Sequence, residues 1–201
     1  MRPLLAPIVV VSLAIAAVAA GGHIVVLGGA TSVKAGSGQQ IKVRPIVVDG
    51  RVKDYSTGTA HQVTENLFVV RRVSRINNAL PNESPKHPLW AWDLGGWISV
   101  SSTSGRITEL KLPDFDPHSS AVSWFQDYAA YCGASEDKSV HYMVVFQLGM
   151  RKPVLKKELY AESCPAPGWE RDPTRVTFEP AGGQKVSFVI HDGSAELQSA
   201  H

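Results

Sequence analysis

Between residues 123 and 160 the chain reads SWFQDYAAYCGASEDKSVHYMVVFQLGMRKPVLKKELY, and this stretch limits the possible folds more than any other. It divides into three short runs. The first, residues 124–132, stops at Gly133 and the polar turn Ala134-Ser135-Glu136-Asp137-Lys138. The second, residues 140–148, is dense in β-branched and aromatic side chains and stops at Gly149. Such side chains pack well on a pleated surface and favour strands. The third, residues 153–159, is short and basic, and lysines on an outer strand discourage pairing with a second chain. Three antiparallel strands joined by two turns are the expected unit.

The rest of the chain repeats the rhythm. Residues 41–48 read as a strand broken by Asp49-Gly50, a dipeptide suited to the positive φ angles of a two-residue hairpin turn, with residues 51–55 returning. The polar residues 56–65 read as a loop, 67–76 as a strand, and 77–88, with Pro81, Pro85 and Pro88, as a long loop. Residues 90–101 and 106–112 form a hairpin around Ser102-Thr103-Ser104-Gly105. A last hairpin pairs residues 175–178 with 185–190. No segment keeps a helical period for three turns, although 123–130 and 155–161 each have room for a short helix. The expected fold is all-β: antiparallel hairpins or a meander, arranged as blade-like sheets or a two-sheet sandwich. A single domain over 41–191 is expected, after a Gly-rich linker at 21–40 and before a polar tail at 192–201.

The N-terminus points to export. Arg2 precedes a run that is apolar from Leu4 to Ala20 apart from Ser12, closed by the small residues Ala17-Val18-Ala19, the parts of a cleavable signal peptide over residues 1–20. This leader is expected to be helical. The apolar residues that resume at 24–30 make the stretch long enough to span a bilayer, so an uncleaved inner-membrane anchor is the alternative. The protein is therefore expected to be periplasmic or secreted. Export also bears on Cys132 and Cys164, the only cysteines, which in an oxidising compartment are expected to pair. The other reading, a reactive thiol, lacks C-x-x-C spacing or a neighbouring histidine.

Candidate chemistry is sparse. Asp114, Asp116 and His118 form the densest polar cluster, and with Asp127 they are the candidates for acid–base or metal-assisted hydrolysis. Their spacing matches neither a calcium loop nor a zinc helix, and a capped surface turn explains the same residues. No G-x-S-x-G elbow or phosphate loop is present, so no cofactor or metal is expected. Two basic clusters, Arg71, Arg72 and Arg75, and Arg151, Lys152, Lys156 and Lys157, are candidate anion contacts for phosphate or an acidic glycan. As strand residues they equally protect sheet edges. Trp90, Trp92, Trp97, Tyr128 and Tyr131 offer either stacking surface or core. With a net charge of only +2, nucleic acid is not expected as a partner.

The hairpins WISVSSTSGRITEL and DYAAYCGASEDKSVHYMVVFQLGMRKPVLKKEL, with VTFEPAGGQKVSFV, resemble the strand–turn–strand units of β-propeller blades. A closed propeller needs four or more blades, and the chain has room for about three. Through FVVRRVSRINNALP, GGWISV and LGMRKPVLKK the chain also resembles exported bacterial proteins to which no activity is attached. That resemblance implies a compartment and no mechanism. The expectation is an envelope binding or structural module, whose partner is an envelope protein or a glycan. The alternative is a secreted hydrolase or metal-dependent enzyme built on Asp114, Asp116 and His118.

Overall fold

The structure, a computed structural model, describes residues 22–82, 88–161 and 164–198. The leader, its cleavage and its expected helix lie outside the described residues. Among the described residues, the α-helix is absent and strands carry all the regular structure.

The first sheet contains β1 (Val25–Leu27), β2 (Thr31–Lys34), β3 (Gln40–Val48), β4 (Arg51–Thr64), β5 (Leu67–Asn77), β6 (Trp90–Ser101) and β7 (Ile107–Leu110). Its order is β1-β3-β4-β5-β6-β7, with β2 pairing the N-terminal half of β3 and β1 the C-terminal half. The second sheet is β8 (Ser123–Phe125), β9 (Tyr128–Ala134), β10 (His141–Gln147) and β11 (Leu155–Leu159). The third is β12 (Gly168–Glu170), β13 (Arg175–Phe178), β14 (Val186–His191) and β15 (Ser194–Gln198). Every strand pairing within the sheets is antiparallel.

The second sheet is the middle layer. Side chains alternate across a strand, and both faces of β9 and β10 are apolar. Tyr128, Ala130, Cys132, Met143 and Val145 pack on Val176, Phe178, Phe188 and Ile190 of the third sheet. Ala129, Tyr131, Val144 and Phe146 pack the opposite way, on Val69 and Trp97 of the first. This explains the near-continuous apolar runs in that stretch, since a strand covered on both faces has no polar side to present. Burying each large side chain of this kind stabilises by about 1.5–3 kcal/mol.

The first sheet coils. Its pairings shift register at Ile46/Val47, Thr57/His61, Gln62/Thr64 and Arg71/Val73. Bulges of this kind bend strands and increase twist. The last is set by Gly95 and Gly96, and a Cβ at Gly95 would stand 3.2 Å from the Arg72 carbonyl oxygen. The coiling brings β2 round to β6, where the Gly36 N–H donates to the Trp92 carbonyl at 2.8 Å. It encloses Ile46, Val70, Ile98 and Val100 on its inner face.

Cys132 and Cys164 form a disulfide with a Cα separation of 6.1 Å, tying β9 to the segment that leads into β12. Trp169 of β12 strengthens the same junction, stacking on Phe125 at 5.5 Å and donating its indole N–H to the Ser123 carbonyl at 3.3 Å.

Several expectations need correction. The Gly-rich segment 21–40 holds β1 and β2 rather than a free linker, because its spaced valines find partners on β3. Residues 56–64 continue β4, since pairing to β3 on one side and β5 on the other satisfies the backbone despite polar side chains. The run 124–132 is a hairpin, not one strand: Gln126 adopts φ 51° and turns β8 into β9. Gly133 lies inside β9 rather than ending it. The two segments with room for a helix, 123–130 and 155–161, carry β8, the start of β9, and β11. In the polar tail, Asp192-Gly193 turns the chain into β15.

Candidate functional site

The loop 113–120 sits between the first and second sheets and is fastened from both. Asp114 adopts φ 53°, and its carbonyl accepts the Ala134 N–H at 2.8 Å. The approach is so close that a Cβ at Gly133 would collide with that carbonyl oxygen. The Asp114 carboxylate pairs with Lys156 of β11 at 2.8 Å, and Asp116 with Lys138 at 2.9 Å. The Asp116 carboxylate also accepts the His118 backbone N–H at 2.8 Å. That bond, with Lys138, holds the Asp116 pKa down at about 2. The buried Tyr131 hydroxyl donates to the Pro113 carbonyl at 2.6 Å, and burial pushes its phenol pKa up. The Tyr131 ring meets Phe115 edge to face at 5.9 Å.

Arg71 completes the fastening. Its guanidinium donates to the Pro117 carbonyl and lies 5.9 Å from the Phe115 ring centre, and desolvation lowers its pKa. Chemically, this arrangement is a clamped loop. Both carboxylates are paired with lysines, and the lowered pKa of Asp116 suits it to structural pairing and not to carrying a proton near neutral pH.

The four acid–base candidates are not assembled. Asp114 and Asp116 line one open cleft with Ser135 and Lys138. His118 is exposed, and its backbone is what contacts Asp116. Asp127 lies at the other end of β9, accepting from the Gln147 amide at 3.0 Å. Among the described residues no group of three or more His, Cys, Asp or Glu side chains is arranged to hold a metal ion.

The basic clusters also separate. On β5, Arg71 faces the loop, while Arg72 pairs with Asp54 at 3.0 Å. Lys156 turns to Asp114 and the Tyr142 ring, whereas Lys157 turns to Phe188 on the third sheet. Arg151 and Lys152 are exposed in the turn between β10 and β11.

Arg75 has a different setting. Its guanidinium carbon lies 5.6 Å from the Trp90 ring centre and 5.7 Å from that of Trp92. Tyr55 of β4 meets Trp92 edge to face at 5.0 Å. Trp90 is 54% exposed and Tyr55 36%. The register explains the grouping: Arg75 pairs across the strands with Trp92, Asn77 with Trp90, and Tyr55 with Val73. These residues share one face of the first sheet, where Trp92 packs on the edge of the cluster formed by Ala35, Ile41, Val43 and Val73. Of the aromatic residues singled out from sequence, Trp97, Tyr128 and Tyr131 are buried, leaving Trp90 and Trp92 for a surface role. Tyr55 and Asn77 escape sequence reading, because only strand pairing brings them beside the tryptophans.

Fold and surface together define an all-β, disulfide-linked protein of layered antiparallel sheets, with an aromatic and cationic face on the first sheet. Comparison with protein-family models, curated proteins and solved structures finds no match to this chain.

Proposed function

We propose that the protein is an exported binding module of the bacterial envelope, held to its partner by the Trp90–Arg75–Trp92–Tyr55 face. In this reading residues 1–20 are a signal peptide, the mature protein is periplasmic or secreted, and the partner is an envelope glycan or protein. The observation that carries it is the exposure of Trp90 beside Arg75, because large rings left in water at such an expanse are characteristic of contact surfaces. The buried disulfide supports the compartment, being compatible with an oxidising environment.

The arrangement of the sheets supports a blade-like description over a two-sheet sandwich. The second and third sheets are each four-stranded antiparallel meanders stacked face to face, and the first packs on the free face of the second. An enzyme built on Asp114, Asp116 and His118 has less support, because the carboxylates are paired with lysines and the imidazole stands apart.

Co-sedimentation of the mature protein with a washed envelope fraction, containing its glycan and its proteins, tests the binding reading. Retention that is lost in Trp90→Ala agrees with it. A wild-type protein left wholly in the supernatant contradicts it.

A further inference from the structure

We infer that the ligand of this face is an acidic glycan, with sugar rings stacking on Trp90 and Trp92 and a carboxylate meeting Arg75; this rests on the binding reading above. The composition of the face distinguishes it from a surface for lipid or for a second protein. Along β5 and β6 each ring stands beside a hydrogen-bonding group: Trp92 is the cross-strand neighbour of Arg75, and Trp90 of Asn77. On this face the aliphatic pair Val73 and Leu94 is packed in the cluster under β3, and the next aliphatic pair along the strands, Ile76 and Ala91, is on the reverse face. A membrane-inserting or protein-docking face would be continuously apolar at its centre. A sugar ring instead has an apolar C–H face suited to an indole and a rim of hydroxyls suited to an amide and a guanidinium.

The charge of Arg75 selects among glycans. Arg72, its neighbour on the reverse face, is neutralised by Asp54, but no ion pair to Arg75 occurs among the described residues. The two indoles hold its guanidinium, with Tyr55 bracing Trp92, leaving its planar fork of donors for a carboxylate, which it is shaped to bind at two points. The pre-positioning matters because a side chain already fixed loses little further freedom on binding.

The test is calorimetric titration of the mature protein with a β-1,4-linked oligomannuronate and with the neutral mannan oligosaccharide of the same length. The expected result is binding of the acid oligosaccharide that weakens by about ten-fold in Trp90→Ala, the factor that about 1.4 kcal/mol gives. Arg75→Gln should abolish the preference for acid over neutral sugar while keeping residual affinity for both. Thermal melts of both variants establish that they are folded. Equal binding of the two oligosaccharides by wild type would overturn the acidic assignment. If neither oligosaccharide binds but the envelope fraction retains the wild type and not Trp90→Ala, the glycan assignment fails and the binding reading stands. If neither probe nor fraction binds, both fail.

Discussion

The guanidinium of Arg75 lies within cation–π reach of two tryptophan rings that are alternate residues on one strand, Trp90 and Trp92. Such contacts contribute about 0.5–1 kcal/mol at exposed sites. Stability alone therefore does not explain leaving Trp90 in water. The energetic weight of the protein's tryptophans should divide sharply: Trp90→Ala should change unfolding free energy by no more than about 1 kcal/mol. Trp97→Ala, which empties a site between the first and second sheets, should cost about 3–5 kcal/mol. Urea unfolding of the two variants measures the contrast.

The loop 113–120 should respond to backbone geometry as much as to charge. Asp114 occupies a left-handed conformation, tolerated by Asn and Asp far better than by residues without a short polar side chain. Asp114→Ala should destabilise by about 1–2 kcal/mol, losing both that tolerance and the Lys156 pair. Asp114→Asn should recover the backbone part. His118→Ala should lie within about 0.5 kcal/mol of wild type, since the exposed imidazole takes no part in the fastening and the backbone N–H that does is kept.

Acid should loosen the same region. Asp116 and Asp137 both have folded-state pKa values lowered to about 2, Asp116 by the His118 N–H and Lys138, Asp137 by the Ser135 and Ser139 hydroxyls. A carboxyl whose folded pKa is depressed stabilises fully above its unfolded value of about 3.9 and loses that contribution as pH falls through the folded value. The Asp116 share is about 1 kcal/mol or less, because Lys138 is exposed to solvent. Asp116→Asn should be less stable than wild type at neutral pH, and the gap should narrow between about pH 4 and pH 2. Melting temperatures across that range provide the check.

Reduction of the disulfide should be costly. Cys132 and Cys164 are 32 residues apart, and closing a loop of that length stabilises by about 3–4 kcal/mol in the chain-entropy model. The melting temperature should fall by several degrees on reduction. Hydrogen exchange should rise first in β12 to β15, whose attachment to β9 the bridge secures. Equal protection of all three sheets after reduction would contradict that attachment.

Much of this architecture is legible in the residues themselves. Asp49-Gly50 announces its hairpin, and both residues adopt the positive φ that the two-residue turn requires. The β6–β7 and β13–β14 hairpins follow from alternation and from Gly105 and Gly182, each at positive φ. What is hidden has physical causes. Gln126 turns the chain without glycine or proline, so β8 and β9 read as one run. Asp192-Gly193 carries the same hairpin signal as Asp49-Gly50, but polar flanks obscure it. The long β4 is recognisable only from its neighbours, because hydrogen bonding on both edges and not apolar periodicity makes residues 56–64 a strand.

For the candidate site, composition located the acidic loop and the tryptophans but not their roles. Asp114 and Asp116 look alike in sequence to a catalytic pair. Lys156 and Lys138, both distant along the chain, turn them into fasteners. The three arginines of β5 look like one patch, yet strand alternation and the bulge opposite Gly95 and Gly96 assign them three surroundings.

The most direct test of the binding face is the set of indole N–H resonances, one for each of the five tryptophans. They are followed by NMR while solubilised envelope glycan is added to the mature protein. The expected result is movement of the Trp90 and Trp92 signals, with Trp97, Trp124 and Trp169 unmoved within their sheet interfaces. Shifts confined instead to the backbone amides of residues 113–138, with Trp90 and Trp92 unchanged, would contradict the assignment of this face and return the function to the acidic loop.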